Sequence, residues 1–236
     1  MMKTNEQVRH EFATSDPIEL SVELGQGYLH ISAEEVRQTS IAISGRFAEK
    51  VDVVHNAGKV VVRSPRVRDT FGRGAALDIH ITIPTGSALA CKTGSADINV
   101  TGQVADARLG SGSGDISLEA AAGSAQLETG SGAIRIDRAS GDTQIKSGSG
   151  DVTLGESAGD AMTVSTGSGD LCIGECHAAL QAKSGSGDTV IERCRADADV
   201  FSSSGDIEIR SVREGRITLR TASGDSRVGI PAGTPV

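Results

Sequence analysis

Seven aspartates close glycine- and serine-rich runs along the chain: Asp97, Asp115, Asp151, Asp170, Asp188, Asp206 and Asp225. Ala133 stands where an eighth would fall, and the successive gaps are 18, 18, 18, 19, 18, 18 and 19 residues. Carboxylates stacked at such a period could hold calcium, which takes six to eight oxygen ligands. Calcium-binding β-rolls also repeat about every 18 residues, as paired nonapeptides. Here each interval has only one such corner, and Ala133 interrupts the column. The aspartates are therefore read first as turn residues and second as a calcium column. In the first reading Gly114, Gly150, Gly169, Gly187, Gly205 and Gly224 supply positive φ at tight corners. Ser and Asp side chains beside them accept hydrogen bonds from turn amides.

Other chemistry has less to stand on. A glycine-rich loop that cradles phosphate opens a helix and carries a lysine; the "SGSGD" runs, such as Ser111 to Asp115, do neither. Cys172, Cys176, His177 and Cys194 invite a zinc site, which needs four ligands at recognisable spacing. The repeat register instead puts Cys176 and Cys194 at a core position shared with Ala121, Ala139 and Val212, and turns Cys172 outward. Cys91 falls in a core column with Leu109 and Leu127. The five histidines, His10, His30, His55, His80 and His177, are scattered, and no nucleophile–base arrangement is readable from spacing. Carbohydrate-cleaving β-helices wall a groove with long loops, which these short, uniform intervals lack. The expectation is a protein that is not an enzyme and carries no cofactor.

The elements that must position these residues follow from the register between the marks. One residue after successive marks come Ile98, Ile116, Ile134, Val152, Leu171, Thr189 and Ile207; three after come Val100, Leu118, Ile136, Leu154, Ile173, Ile191 and Ile209. Six before the later marks come Leu109, Leu127, Ile145, Val164, Ala182, Val200 and Leu219. Polar residues such as Gln126, Gln144 and Gln181 alternate with them, which is the period of a half-buried strand. Each unit is a short strand, a turn, a second short strand and the glycine-rich corner. Two such strands cannot bury their faces alone, but stacked units bury a continuous core. The expectation is an all-β fold, a β-solenoid (β-helix or β-roll) of about eight 18–19-residue coils with a less regular N-terminal β cap. A meander of antiparallel hairpins is the alternative, but hairpin loops would not hold so strict a period.

Within one continuous domain, residues 1–15 read as a tail, 16–90 as irregular coils forming the cap, and 91–236 as the regular coils. Ser64 to Ala76 reads as a mobile, charged insertion. Pro231 and Pro235 fall where the last coil would expose an open edge, and proline blunts edge pairing.

Composition agrees with a narrow, repetitive core. Of 236 residues 37% are hydrophobic but only 2% aromatic, with no Trp, so Val, Ile, Leu and Ala must fill the interior. A net charge of −8 disfavours nucleic acid and anionic membranes as partners. No apolar run is long enough to span a membrane. The first twenty residues lack the apolar stretch of a secretory signal, so the expected location is cytoplasmic.

"ITIPTGSALACKTGSADINVTG", Ile81 to Gly102, followed by recurring "TGSGD" and "SGSGD" coils, resembles a bacterial family of candidate adhesins. That family is a β-strand-repeat domain of unknown function, and the resemblance covers roughly residues 16 to 230. It implies a β-repeat fold and carries no established chemistry. Two functions of different class remain. One is a non-enzymatic scaffold for protein interaction or assembly, favoured as a monomer with an unidentified protein partner, end-to-end stacking being possible. Its candidate surface is the outward column Glu128, Lys146, Ser165, Lys183, Phe201 and Arg220. The other is a calcium- or ligand-binding adhesin-like module.

Overall fold

The structure, a computed structural model, describes residues 7–65 and 76–232. Most of the Ser64–Ala76 insertion, and Pro235, lie outside them.

The regular coils begin at Ala88, each formed by two strands that meet at a corner. In chain order the first half supplies β1 (Val8–Ala13), β2 (Glu19–Leu24), β3 (Gln26–Glu34), β4 (Gln38–Gly45), β5 (Asp52–Asn56), β6 (Lys59–Arg63) and β7 (Ala76–Pro84). The coils follow as β8 (Ala88–Thr93) with β9 (Asp97–Val104), β10 (Ala107–Ser111) with β11 (Ile116–Ala121), and β12 (Ala125–Thr129) with β13 (Ile134–Ala139). Next come β14 (Thr143–Ser147) with β15 (Val152–Ser157), β16 (Ala161–Thr166) with β17 (Leu171–Cys176), and β18 (Ala179–Ser186) with β19 (Thr189–Cys194). The last two are β20 (Ala198–Ser204) with β21 (Ile207–Ile209), and β22 (Ile217–Thr221) with β23 (Ser226–Val228). The eight expected coils are therefore present, and the hairpin meander is not the fold.

Successive coils stack in parallel and in register. One sheet holds the even strands from β8 to β22 and the other the odd strands from β9 to β23. Ile116, Ile134, Val152 and Leu171 lie directly above one another, as do Leu109, Leu127, Ile145 and Val164. The inward residues of both sheets form one aliphatic core that runs from Ile18 to Val212. Alternation explains the choice: along β13 the exposure runs buried, exposed, buried, exposed, so Ile134 and Ile136 face in while Arg135 and Asp137 face out.

The N-terminal part departs from the simple stack in two ways. First, β2 and β3 form a coil that lies between β6–β7 and β8–β9, so the spatial order of coils is not the chain order. The crossing from β7 to β8 is the short turn Thr85 to Ser87. Buried Ser87 ties it down: its hydroxyl donates to the Pro84 carbonyl (2.6 Å) and accepts from the Ile18 N–H (3.0 Å). Second, the end is closed by antiparallel strands. β4 pairs with β7, β1 pairs with β4, and β5 pairs with β6. The N-terminal part thus combines irregular coils, β2–β3 and β6–β7, with antiparallel strands that close the end. Part of the segment expected to be a tail, Val8–Ala13, is the outermost of these strands. Val8 and Phe12 pack partly against the core, which gives the strand a reason to order.

Candidate functional site

The aspartate column is built by backbone register. Each residue after a corner starts an odd strand, so the corner aspartates stack one per coil. Their Oδ1 atoms accept hydrogen bonds from the backbone N–H one coil onward: Asp97 from Asp115 (2.9 Å), Asp115 from Ala133 (2.8 Å) and Asp151 from Asp170 (2.9 Å). The series continues with Asp170 from Asp188 (2.8 Å), Asp188 from Asp206 (2.9 Å) and Asp206 from Asp225 (2.8 Å). All six carboxylates are oriented along the stack by these amides, and each donor N–H offsets part of the like-charge repulsion. Among the described residues no three His, Cys, Asp or Glu side chains are gathered where a metal ion could be held.

Inside four of the corners a hydroxyl performs the matching task. Ser111, Thr129, Ser147 and Thr166 accept from the N–H of Gly114, Gly132, Gly150 and Gly169 at 2.8, 3.1, 2.9 and 3.1 Å. These hydroxyls are buried, so the bond satisfies groups that water cannot reach.

The glycines require a correction. Gly187, Gly205 and Gly224 have φ of 116°, 131° and 133°, as expected, but Gly114, Gly150 and Gly169 do not adopt positive φ. What excludes a side chain there is the coil beneath: a Cβ on Gly150 would overlap the carbonyl oxygen of Gly132.

A second aspartate ladder, at the opposite corners, was missed by sequence reasoning. Asp106 accepts from both the N–H and the hydroxyl of Ser124 at 2.8 Å, and these bonds hold its carboxyl below the usual range. Asp142 accepts from the Ala161 N–H (3.1 Å) and Asp197 from the Arg216 N–H (2.7 Å). The signal was present in the spacing of Asp106, Asp142, Asp160 and Asp197, weakened by Ser124 and Ala178 at the intervening positions.

The cysteine and histidine candidates are not brought to one point. Cys172 is exposed, whereas Cys91, Cys176 and Cys194 are buried in the core. Burial pushes the Cys91 thiol up to about 12. His177 lies 3.4 Å from Glu175, whose carboxyl is held down chiefly by the hydrogen bond from Arg193 (2.5 Å). His30 and His80 face each other on adjacent strands with ring centres 5.5 Å apart.

The outward column of the even sheet is as expected. Glu128, Lys146, Ser165, Lys183, Phe201 and Arg220 are register neighbours from β12 to β22. Phe201 is the one large apolar residue in it, 38% exposed, in a shallow depression with Lys183, Asp199 and Arg220.

The two ends of the stack differ more than its faces do. At the N-terminal end Phe12 of β1 meets His55 of β5, ring centres 4.8 Å apart, so a contact between the outermost strands of the two sheets closes the core. At the other end β22 and β23 are, among the described residues, the last strands of their sheets. By the alternation of a parallel ladder, the amides of Leu219, Ser226 and Val228 point away from the stack. Ile217 and Leu219 are only partly buried, and Val228 and Ile230 are 43% and 51% exposed.

The molecule is a β-solenoid of two-strand coils, sealed at one end and held at its corners by side-chain ladders. The family model described as Toastrack DUF4097 matches residues 18–234, and the chain belongs to that family. Among solved structures, the chain is similar to a candidate adhesin from Parabacteroides distasonis (TM-score 0.59, 11% identity, covering 96% of this chain and 98% of that one). It is likewise similar to a candidate adhesin from Parabacteroides merdae (0.58, 10%, 94% and 96%). A candidate lipid-binding protein from Parabacteroides distasonis also matches (0.60, 12%, 94% and 96%). At such identities the likeness is one of fold. No curated protein matches the chain in sequence. No helix among the described residues is long and apolar enough to cross a membrane.

Proposed function

We propose that the protein works by binding and not by catalysis, as a scaffold whose C-terminal end receives an extended segment of a partner protein. The observation that carries this reading is the difference between the ends: one closed by antiparallel strands, the other presenting two strand edges and partly exposed Ile217 and Leu219. An added strand would take up the outward amides and cover the apolar residues, as in β-augmentation. Charge indicates what kind of segment fits. Arg213 and Arg216 are exposed and make no ion pair among the described residues, whereas Arg210, Arg220 and Arg227 pair with Glu192, Asp199 and Asp225. The partner segment is therefore acidic and alternates with apolar residues. The structurally similar proteins named as candidate adhesins accord with a binding role.

A fluorescent eight-residue peptide of alternating Glu and Val tests this, with anisotropy as the readout. It should bind the protein and bind the Ser226→Pro variant at least tenfold more weakly, because proline removes an edge amide without touching the bonds of Asp225 and Gly229 to β21. No binding, or equal binding by both, overturns the reading.

A further inference from the structure

Cys176 and Cys194 occupy the same position on β17 and β19 and are direct register partners. Both are fully buried. Their column reads Val104, Ala121, Ala139, Ser157, Cys176, Cys194 and Val212, so two thiols and a hydroxyl follow one another in a line that is elsewhere apolar. Each thiol donates to a carbonyl at the corner, Cys176 to Ala178 and Cys194 to Ala196, both at 3.2 Å. Ser157, beside Cys176, is fully buried and its hydroxyl has no hydrogen-bond partner among the described residues. A buried hydroxyl without a partner is costly and calls for an explanation.

We infer that Cys176 and Cys194 form a two-thiolate site for a soft monovalent cation, of the class of copper(I), with the Ser157 hydroxyl beside it. Thiolates select such ions over harder ones. The spacing of the coils suits such an ion. Stacked strands lie about 4.8 Å apart, about twice a metal–thiolate bond of roughly 2.3 Å. An ion midway between the sulfurs leaves the strands where they are. The reaction balances as two thiols plus one monovalent cation giving an anionic bis-thiolate and two released protons.

Silver ion is the air-stable probe. The protein carrying Cys172→Ser, which removes the exposed thiol, is titrated in thiol-free buffer and read by native mass spectrometry and ultraviolet thiolate-to-metal absorption. One silver ion per chain should bind, with a raised melting temperature. Adding Cys176→Ala or Cys194→Ala should weaken binding at least a hundredfold. Alanine occupies the same position at Ala121 and Ala139, so these variants should fold, as circular dichroism will verify. Three results would overturn the inference: no bound silver, undiminished binding in the alanine variants, or loss of binding in Cys91→Ala instead. A mass loss of about 2 Da on mild oxidation, with no silver bound afterwards, would mark a disulfide pair and overturn it as well.

Discussion

The carboxylate of Asp97 accepts a hydrogen bond from the backbone N–H of Asp115, 2.9 Å away in space and 18 residues along the chain. Every later corner aspartate that has an aspartate above it repeats the bond; Ala133 offers Asp151 no such acceptor. Ala133→Asp should therefore add a rung to the ladder and stabilise the protein by about 1 kcal/mol, and Asp115→Ala should cost about as much. Urea denaturation measures both, and millimolar calcium should leave the two midpoints where they are. A lower midpoint for Ala133→Asp would mean that repulsion along the column outweighs the new bond.

Glycines that look alike in the sequence should respond oppositely to alanine. Gly150 lies over the Gly132 carbonyl, and its substitution should cost more than about 3 kcal/mol, because the coils must separate. At Gly110 a Cβ meets nothing nearer than the Glu128 carbonyl at 3.9 Å. Gly110→Ala should raise stability by up to about 1 kcal/mol through reduced chain entropy. Thermal melts of the two variants decide the point.

Cys91 predicts an alkaline limit. Its folded-state value is about 12 against an ordinary 9.0, so below pH 9 the thiol is protonated in both states and its contribution is fully present. As pH rises from 9 towards 12 the unfolded chain ionises first, and that stability is lost. Three pH units correspond to at most about 4 kcal/mol. Cys91→Val should show a shallower decline between pH 9 and pH 11 in guanidinium denaturation; matching declines would contradict the assignment.

The Arg193–Glu175 pair, although short, is half exposed on the arginine side, at 49%. Arg193→Met should lower stability by no more than about 1 kcal/mol, and salt should shrink the difference. A larger loss would mean that the guanidinium does more than pair with Glu175.

The regular coils were legible because one period controls both burial and turning: Ile116 and Ile134 share a position for the same reason that Asp115 and Ala133 do. The direction of the corner bonds was legible too, since Ser and Asp beside a turn have few other tasks. The positive φ expected at Gly150 was not found, because the constraint comes from the neighbouring coil and leaves no mark on local sequence. Strand β1 was hidden because Arg9 and Glu11 alternate with Val8, His10 and Phe12, an alternation too weakly apolar to distinguish a strand from a tail. The displaced β2–β3 coil left no signal at all, since pairing partners far apart in the chain are chosen by shape and not by spacing.

That displaced coil sets a clock on how the molecule is made. Residues 19–34 leave the ribosome early but end up as an inner layer, which cannot be covered on its outer side until β7 closes at Pro84. From β9 onward the task changes: a finished coil stands ready and the next 18 or 19 residues need only lie down on it. At 5 to 20 residues per second, each coil has about one to four seconds to settle before the next is complete, and short strands pair in microseconds. The rod thus lengthens in one direction as synthesis proceeds, with a slow start and a quick, repetitive finish. Among the described residues, the coil of β22 and β23 is the one onto which no further coil has settled.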